Sequence, residues 1–120
     1  MLHPKFRAKV QRLVTEAAYG HSHRMSHPRL ARDEDIHTWL TTHEGWVRDG
    51  SAIGRAYAFP DFSSALAFVV RVACLAEKKN HHPDIELGWG KVGVRWTTHD
   101  SGGITELDLD LAADTDALRS

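Results

Sequence analysis

Residues 60–83 read PDFSSALAFVVRVACLAEKKNHHP, and the reading of this stretch decides the fold. Asp61 suits an N-cap, because its carboxylate can accept from the free N–H groups of a first helical turn. From Phe62 to Lys79 no residue breaks a helix, which predicts about 27 Å of α-helix at 1.5 Å per residue. Lys78 and Lys79 complement the negative end of the helix dipole, and Asn80 suits the exit. Between Ala65 and Ala76 the one polar side chain is Arg71. A helix apolar nearly all round is buried on more than one side. One side is expected against a sheet. In a chain of 120 residues the other is expected against a neighbouring helix or a second subunit, so a homodimer or homotetramer is predicted.

Downstream, Ile85–Gly88 and Val92–Thr98 flank Gly90 and predict a hairpin. In the second of these strands Val92, Val94 and Trp96 alternate with Gly93, Arg95 and Thr97, so His99 leaves from the polar face. Asp100-Ser101-Gly102-Gly103 reads as a turn. Thr105 and Asp108 have capping-box spacing, with Asp in place of the preferred Glu or Gln. A last helix is expected through about Leu118, with Leu107, Leu111 and Leu118 near one stripe.

Upstream, Asp33-Glu34-Asp35 ahead of Ile36, Trp39 and Leu40 predict a short helix ending near Thr42–Gly45. Asp49-Gly50-Ser51, between Trp46–Arg48 and Ile53–Phe59, predicts a first hairpin. In its second strand Ile53, Arg55, Tyr57 and Phe59 share one face, and Gly54, Ala56 and Ala58 the other. The small face is expected to admit a closely packed helix. The order α-β-β-α-β-β-α predicts an α+β fold: a four-stranded antiparallel sheet with three helices packed on one face. The opposite face, expected to carry Arg95, Thr97 and Tyr57, is left for solvent, a ligand or a partner.

Composition bounds the function. Hydrophobic content of 42% and charged content of 26% are those of an ordinary globular domain. A net charge of -1 supplies no field for nucleic acid or acidic membrane. Cys74, the one cysteine, excludes an intrachain disulfide framework. With no long apolar run and no secretory pattern, a cytoplasmic protein is expected. Residues 1–29 differ from the rest: Lys5, Arg7, Lys9, Arg12, Arg24 and Arg29 face one acid, Glu16. They are read as a basic extension, in part helical over Phe6–Ala17 or else disordered, ahead of a domain over 30–120; Met25 is an alternative natural start. His21, His23 and His27 lack the Cys or carboxylate that a zinc site usually adds.

The chemistry gathers in Glu77-Lys78-Lys79-Asn80-His81-His82-Pro83 and Thr97-Thr98-His99-Asp100. His81, His82 and His99 can each give or take a proton near neutral pH. Adjacent residues on an extended chain diverge, so His81 and His82 meet one pocket only through an irregular loop, which Pro83 favours. Two imidazoles bracketing a flat heterocycle, with His99 arriving from another strand, suit a dehydration. That reaction needs an acid for the leaving hydroxyl and a base for the proton on the neighbouring atom. The bland alternative, surface histidines at loop ends, holds better for any one of them than for three joined by Glu77. A metal site on the same histidines lacks further ligands. For Asp108 the local pattern favours a helix cap over a site carboxylate.

The pattern Glu77-Lys78-x-x-His81-His82-Pro83, a strand with Val92 and Val94, then Thr98-His99-Asp100-x-Gly102-Gly103-Ile104-Thr105-x-x-Asp108-x-x-Leu111-Ala112, resembles the pterin-4a-carbinolamine dehydratase family. Gly45-Trp46, Phe59-x-Asp61-Phe62, Ala65, Phe68 and Val72-Ala73 also fit, and the resemblance covers about residues 30 to 115. It implies dehydration of 4a-hydroxytetrahydropterin to the quinonoid dihydropterin, without metal or organic cofactor, in recycling the tetrahydropterin of aromatic amino acid hydroxylases. By position it implies substrate contacts from His81, His82, Pro83, Thr98, His99, Asp100 and Ser101. His82 and His99 are expected as the acid/base pair, with His81 helping to hold the ring, and Glu77 and Asp108 as supporting carboxylates. The family also includes a dimerisation cofactor of a transcription factor, so a non-catalytic assembly or coactivator-like module is the alternative.

Overall fold

The computed structural model describes residues 28–119. The helix expected over Phe6–Ala17, the histidines His21, His23 and His27, and nearly all of the basic extension lie outside the described residues. The elements are α1 (Asp33–Thr42), β1 (Val47–Asp49), β2 (Ala52–Ala58), α2 (Phe62–Lys79), β3 (Asp84–Gly88), β4 (Lys91–Trp96), a single 3-10 turn (His99–Ser101) and α3 (Glu106–Ala117). The strands form one antiparallel sheet in the order β1-β2-β4-β3. The α+β architecture read from the sequence is borne out, including its element order.

The local signals act as expected. Asp61 caps α2 by accepting from the Ser64 N–H at 2.7 Å, and Asn80 leaves the helix in the left-handed region at φ 50°. Asp33, Glu34 and Asp35 occupy the first turn of α1, where the helix dipole favours acids. Ile36 from α1, Phe68 and Val72 from α2, and Leu111 from α3 meet Ile53, Val94 and Trp96 of the sheet in one buried core.

The two faces of β2 are used opposite to expectation. Ile53 and Tyr57 are buried on the helix side, where the Tyr57 and Phe68 rings lie 4.6 Å apart. Ala56 and Ala58 are exposed on the other side. The physical reason is that the large side chains supply the apolar area that burial rewards, so they face the helices and the small residues face out. Tyr57 therefore does not belong to the open face. Arg95 does: it pairs there with Asp49 at 3.5 Å and Asp84 at 3.7 Å. Thr97 is buried, its hydroxyl donating to the Ser51 carbonyl at 2.5 Å.

Strand β4 stops at Trp96, two residues before the expected end. Thr98 is drawn into a tight turn instead: its N–H donates to the Gly103 carbonyl, and its carbonyl accepts from Ser101 and Gly102. In α2, Ala65, Phe68, Val72 and Ala76 are buried, while Phe62, Leu66 and Val70 form an exposed apolar stripe along the single chain. Among the described residues no helix is long and apolar enough to cross a membrane.

Candidate active site

The left-handed exit at Asn80 turns the chain off the end of α2, and the His81 N–H donates back to the Ala76 carbonyl at 3.1 Å. This folds His81 inward. Its side chain is 14% exposed, and its Nε2 lies 2.7 Å from Oδ1 of Asp108, which is 0% exposed. The imidazole also lies parallel to the indole of Trp96, with an interplanar angle of 9° and ring centroids 5.8 Å apart.

Asp108 is held by several donors at once. It sits at the third position of α3 and completes a capping box with Thr105, whose N–H donates to Oδ2 at 2.8 Å. The Thr98 hydroxyl donates to the same oxygen at 2.7 Å and lies 2.9 Å from the Thr105 hydroxyl. A buried carboxylate is tolerated when its lone pairs are all engaged in this way. Asp108 is the cap that its spacing predicted, and its oxygens divide: Oδ2 serves the cap and Thr98, while Oδ1 faces His81.

The neighbouring His82 points elsewhere, as its place on an extended chain requires. Its Nε2 lies 3.0 Å from Glu77 Oε1, and this pair is open to solvent at 53% and 78% exposure. Pro83 is half-buried beside it, and His99 and Asp100 are exposed on the 3-10 turn. The Ser101 hydroxyl donates to the Pro28 carbonyl. Leu30 bridges to Thr105, and the Ala31 N–H donates to the Ile104 carbonyl at 2.9 Å, so residues 28–31 strap the segment that carries His99.

Asp108 thus joins His81, from the end of α2, to Thr98, the residue before His99. His82 and Glu77 form a second pair next along the chain. Three residues that the sequence reading did not single out take part: Trp96, Thr105 as a hydroxyl beside Thr98, and Thr115. The Trp96 Nε1–H donates to Thr115 Oγ1 at 3.1 Å, and that hydroxyl donates to the Leu111 carbonyl at 2.6 Å. Trp96 was legible as a core-facing strand residue; nothing local marks it as a neighbour of His81. Three imidazoles, two of them against carboxylates, can give and take protons at a bound molecule.

The family model described as pterin 4 alpha carbinolamine dehydratase matches residues 29–118. A relative from Roseiflexus sp. (strain RS-1), named for the same dehydratase, is 48% identical over 86 residues, covering 72% of this chain and 92% of its own. One from Thermomicrobium roseum, named likewise, is 49% identical over 80 residues, with 67% and 86% covered. Among solved structures, a transcriptional coactivator/pterin dehydratase from Brucella melitensis superposes with TM-score 0.73 at 32% identity, covering 77% of this chain and 100% of that one. A pterin dehydratase-like protein identified as a RuBisCO assembly factor in the alpha-carboxysome gives TM-score 0.56 at 27% identity, with 65% and 93% covered. The chain therefore belongs to the pterin 4 alpha carbinolamine dehydratase family.

Proposed function

We propose that this protein dehydrates a 4a-hydroxytetrahydropterin to the quinonoid dihydropterin by histidine acid/base catalysis. The observation that carries the reading is the buried pair of His81 and Asp108, tied through Thr98 to the segment bearing His99. One imidazole gives a proton to the leaving hydroxyl and another takes a proton from the neighbouring atom, so water departs and a double bond forms. His82 and His99 are the proposed acid/base pair, and His81 holds the ring. Pro83, Thr98, Asp100 and Ser101 complete the substrate contacts, with Glu77 and Asp108 in support. The quinonoid product becomes the tetrahydropterin of aromatic amino acid hydroxylases after a separate two-electron reduction, and the proposed setting is the cytoplasm. An absorbance assay on chemically generated 4a-hydroxytetrahydropterin tests this. A wild type faster than the spontaneous reaction, slowed about 100-fold by His82→Ala, supports it; a wild type no faster than spontaneous refutes it.

A second reading is favoured by the exposed stripe Phe62, Leu66 and Val70 on α2. It is an assembly or coactivator-like role, of the kind named for the Brucella and alpha-carboxysome proteins. The same stripe supports a homodimer or homotetramer, because exposed contiguous apolar surface marks an interface. Joint replacement of His81, His82 and His99 by Ala separates the readings: a binding role survives it and dehydration does not.

A further inference from the structure

We propose that Trp96 is a positioning residue for this reaction: its indole fixes the plane of the His81 ring, and Thr115 fixes the indole. The inference rests on the dehydratase reading above. A single hydrogen bond from Nε2 to Asp108 sets one direction of the imidazole but leaves it free to roll about that bond. The parallel indole, at 9° and 5.8 Å, removes the roll, and such offset stacking is a favoured ring geometry. Trp96 is itself fully buried, and its Nε1–H is held by Thr115. The Thr115 hydroxyl proton is committed to the Leu111 carbonyl, so its oxygen has a lone pair for the indole. Asp108 and Thr115 stand seven residues apart, two turns along one face of α3. One helix therefore constrains the imidazole twice, at its edge through Asp108 and at its face through Trp96. A carboxylate accepts and does not donate, so Nε2 carries the proton and Nδ1 keeps its lone pair, which gives neutral His81 one tautomer.

The test combines nitrogen-15 spectra of the His81 ring with dehydration kinetics on the full chain. The wild type shows a single Nε2–H tautomer, with ring protons displaced by the indole current. Trp96→Phe keeps both features and most of kcat. Trp96→Leu loses the displacement and lowers kcat about 10-fold with KM little changed, while Asp108 keeps the Nε2–H tautomer. Should Trp96→Leu fail to fold, Thr115→Val decides, because it keeps the indole and removes its anchor; the proposal requires the same changes in smaller measure. Full kcat in Trp96→Leu or, where that does not fold, in Thr115→Val, or wild-type His81 ring protons with no indole displacement, overturns the role of Trp96. A wild type that does not accelerate dehydration overturns the functional reading instead, and the spectra still report whether the indole orients the ring.

Discussion

The Nε1–H of Trp46 donates to Oδ2 of Asp116 across 2.9 Å, joining the chain just ahead of β1 to the last turn of α3. Arg55 donates to the other oxygen at 2.9 Å, as does the Tyr57 hydroxyl at 2.5 Å. Asp116→Ala leaves an indole, a guanidinium and a phenol without their acceptor. It is expected to destabilise the domain by about 2–3 kcal/mol, measured by urea unfolding, with little change in dehydration rate.

The same cluster predicts a pH dependence. Burial first, then the hydrogen bond and charge of Asp116, hold the Tyr57 phenol above the ordinary tyrosine range. Above about pH 10 the unfolded chain releases this proton while the folded one keeps it. The folded state then binds more protons, so stability falls as pH rises. Tyr57→Phe removes this contribution to the alkaline limb of the stability curve. At the acid end, hydrogen bonds from Ser64 and Ser63 hold Asp61 below the usual carboxylate range. Its contribution is present above the ordinary aspartate value and is lost as pH falls through the lowered one. Asp61→Asn flattens that limb in a pH series of unfolding curves.

Asp108→Asn is expected to slow dehydration about 100-fold or more. An amide can present its N–H to His81, where the carboxylate accepted, and so select the wrong tautomer. Circular dichroism should still show α3, because an amide oxygen can serve the capping box. Activity near wild type would remove Asp108 from the site.

Two turn glycines should respond differently. Gly90 has φ +65°, and an added Cβ would lie 2.8 Å from the Phe59 carbonyl oxygen, which is backbone and cannot swing away. Gly90→Ala should cost about 1–3 kcal/mol by thermal unfolding. Gly50 has φ +60°, with nothing within 4 Å of its added Cβ. Gly50→Asn, a residue that tolerates left-handed backbone, should cost well under 1 kcal/mol.

The oligomer proposed from the α2 stripe predicts that Leu66→Glu with Val70→Glu yields a well-folded monomer by light scattering. A wild type already monomeric at micromolar concentration would remove the oligomer.

Much of this was legible because the signals are local. The ends of α2 were set by Asp61 and Asn80, and the start of α3 by the Thr105–Asp108 spacing, each a matter of a few neighbouring residues. What failed was tertiary. Whether the small or the large face of β2 meets the helices depends on the sum of buried area, which alternation does not rank. The 3-10 turn after Trp96 depends on Gly103 and on the strap from Leu30, far away in sequence. At the site, the histidine segments were visible as motifs, but the partition of their partners was not. Asp108 lies 27 residues from His81, and only the folded chain shows that a helix cap is also the acceptor for an imidazole.

That double duty has an evolutionary cost. A carboxylate that starts a helix and also orients a site group cannot drift for one purpose without disturbing the other. Under the proposed role, lineages that abandon the chemistry would still be held by folding to a capping acceptor at position 108, Asp or Asn. Such a cap is thus poor testimony of activity, and under the proposed acid/base role the solvent-open Glu77 and His82, which no cap restrains, are the residues whose loss would betray a retired enzyme.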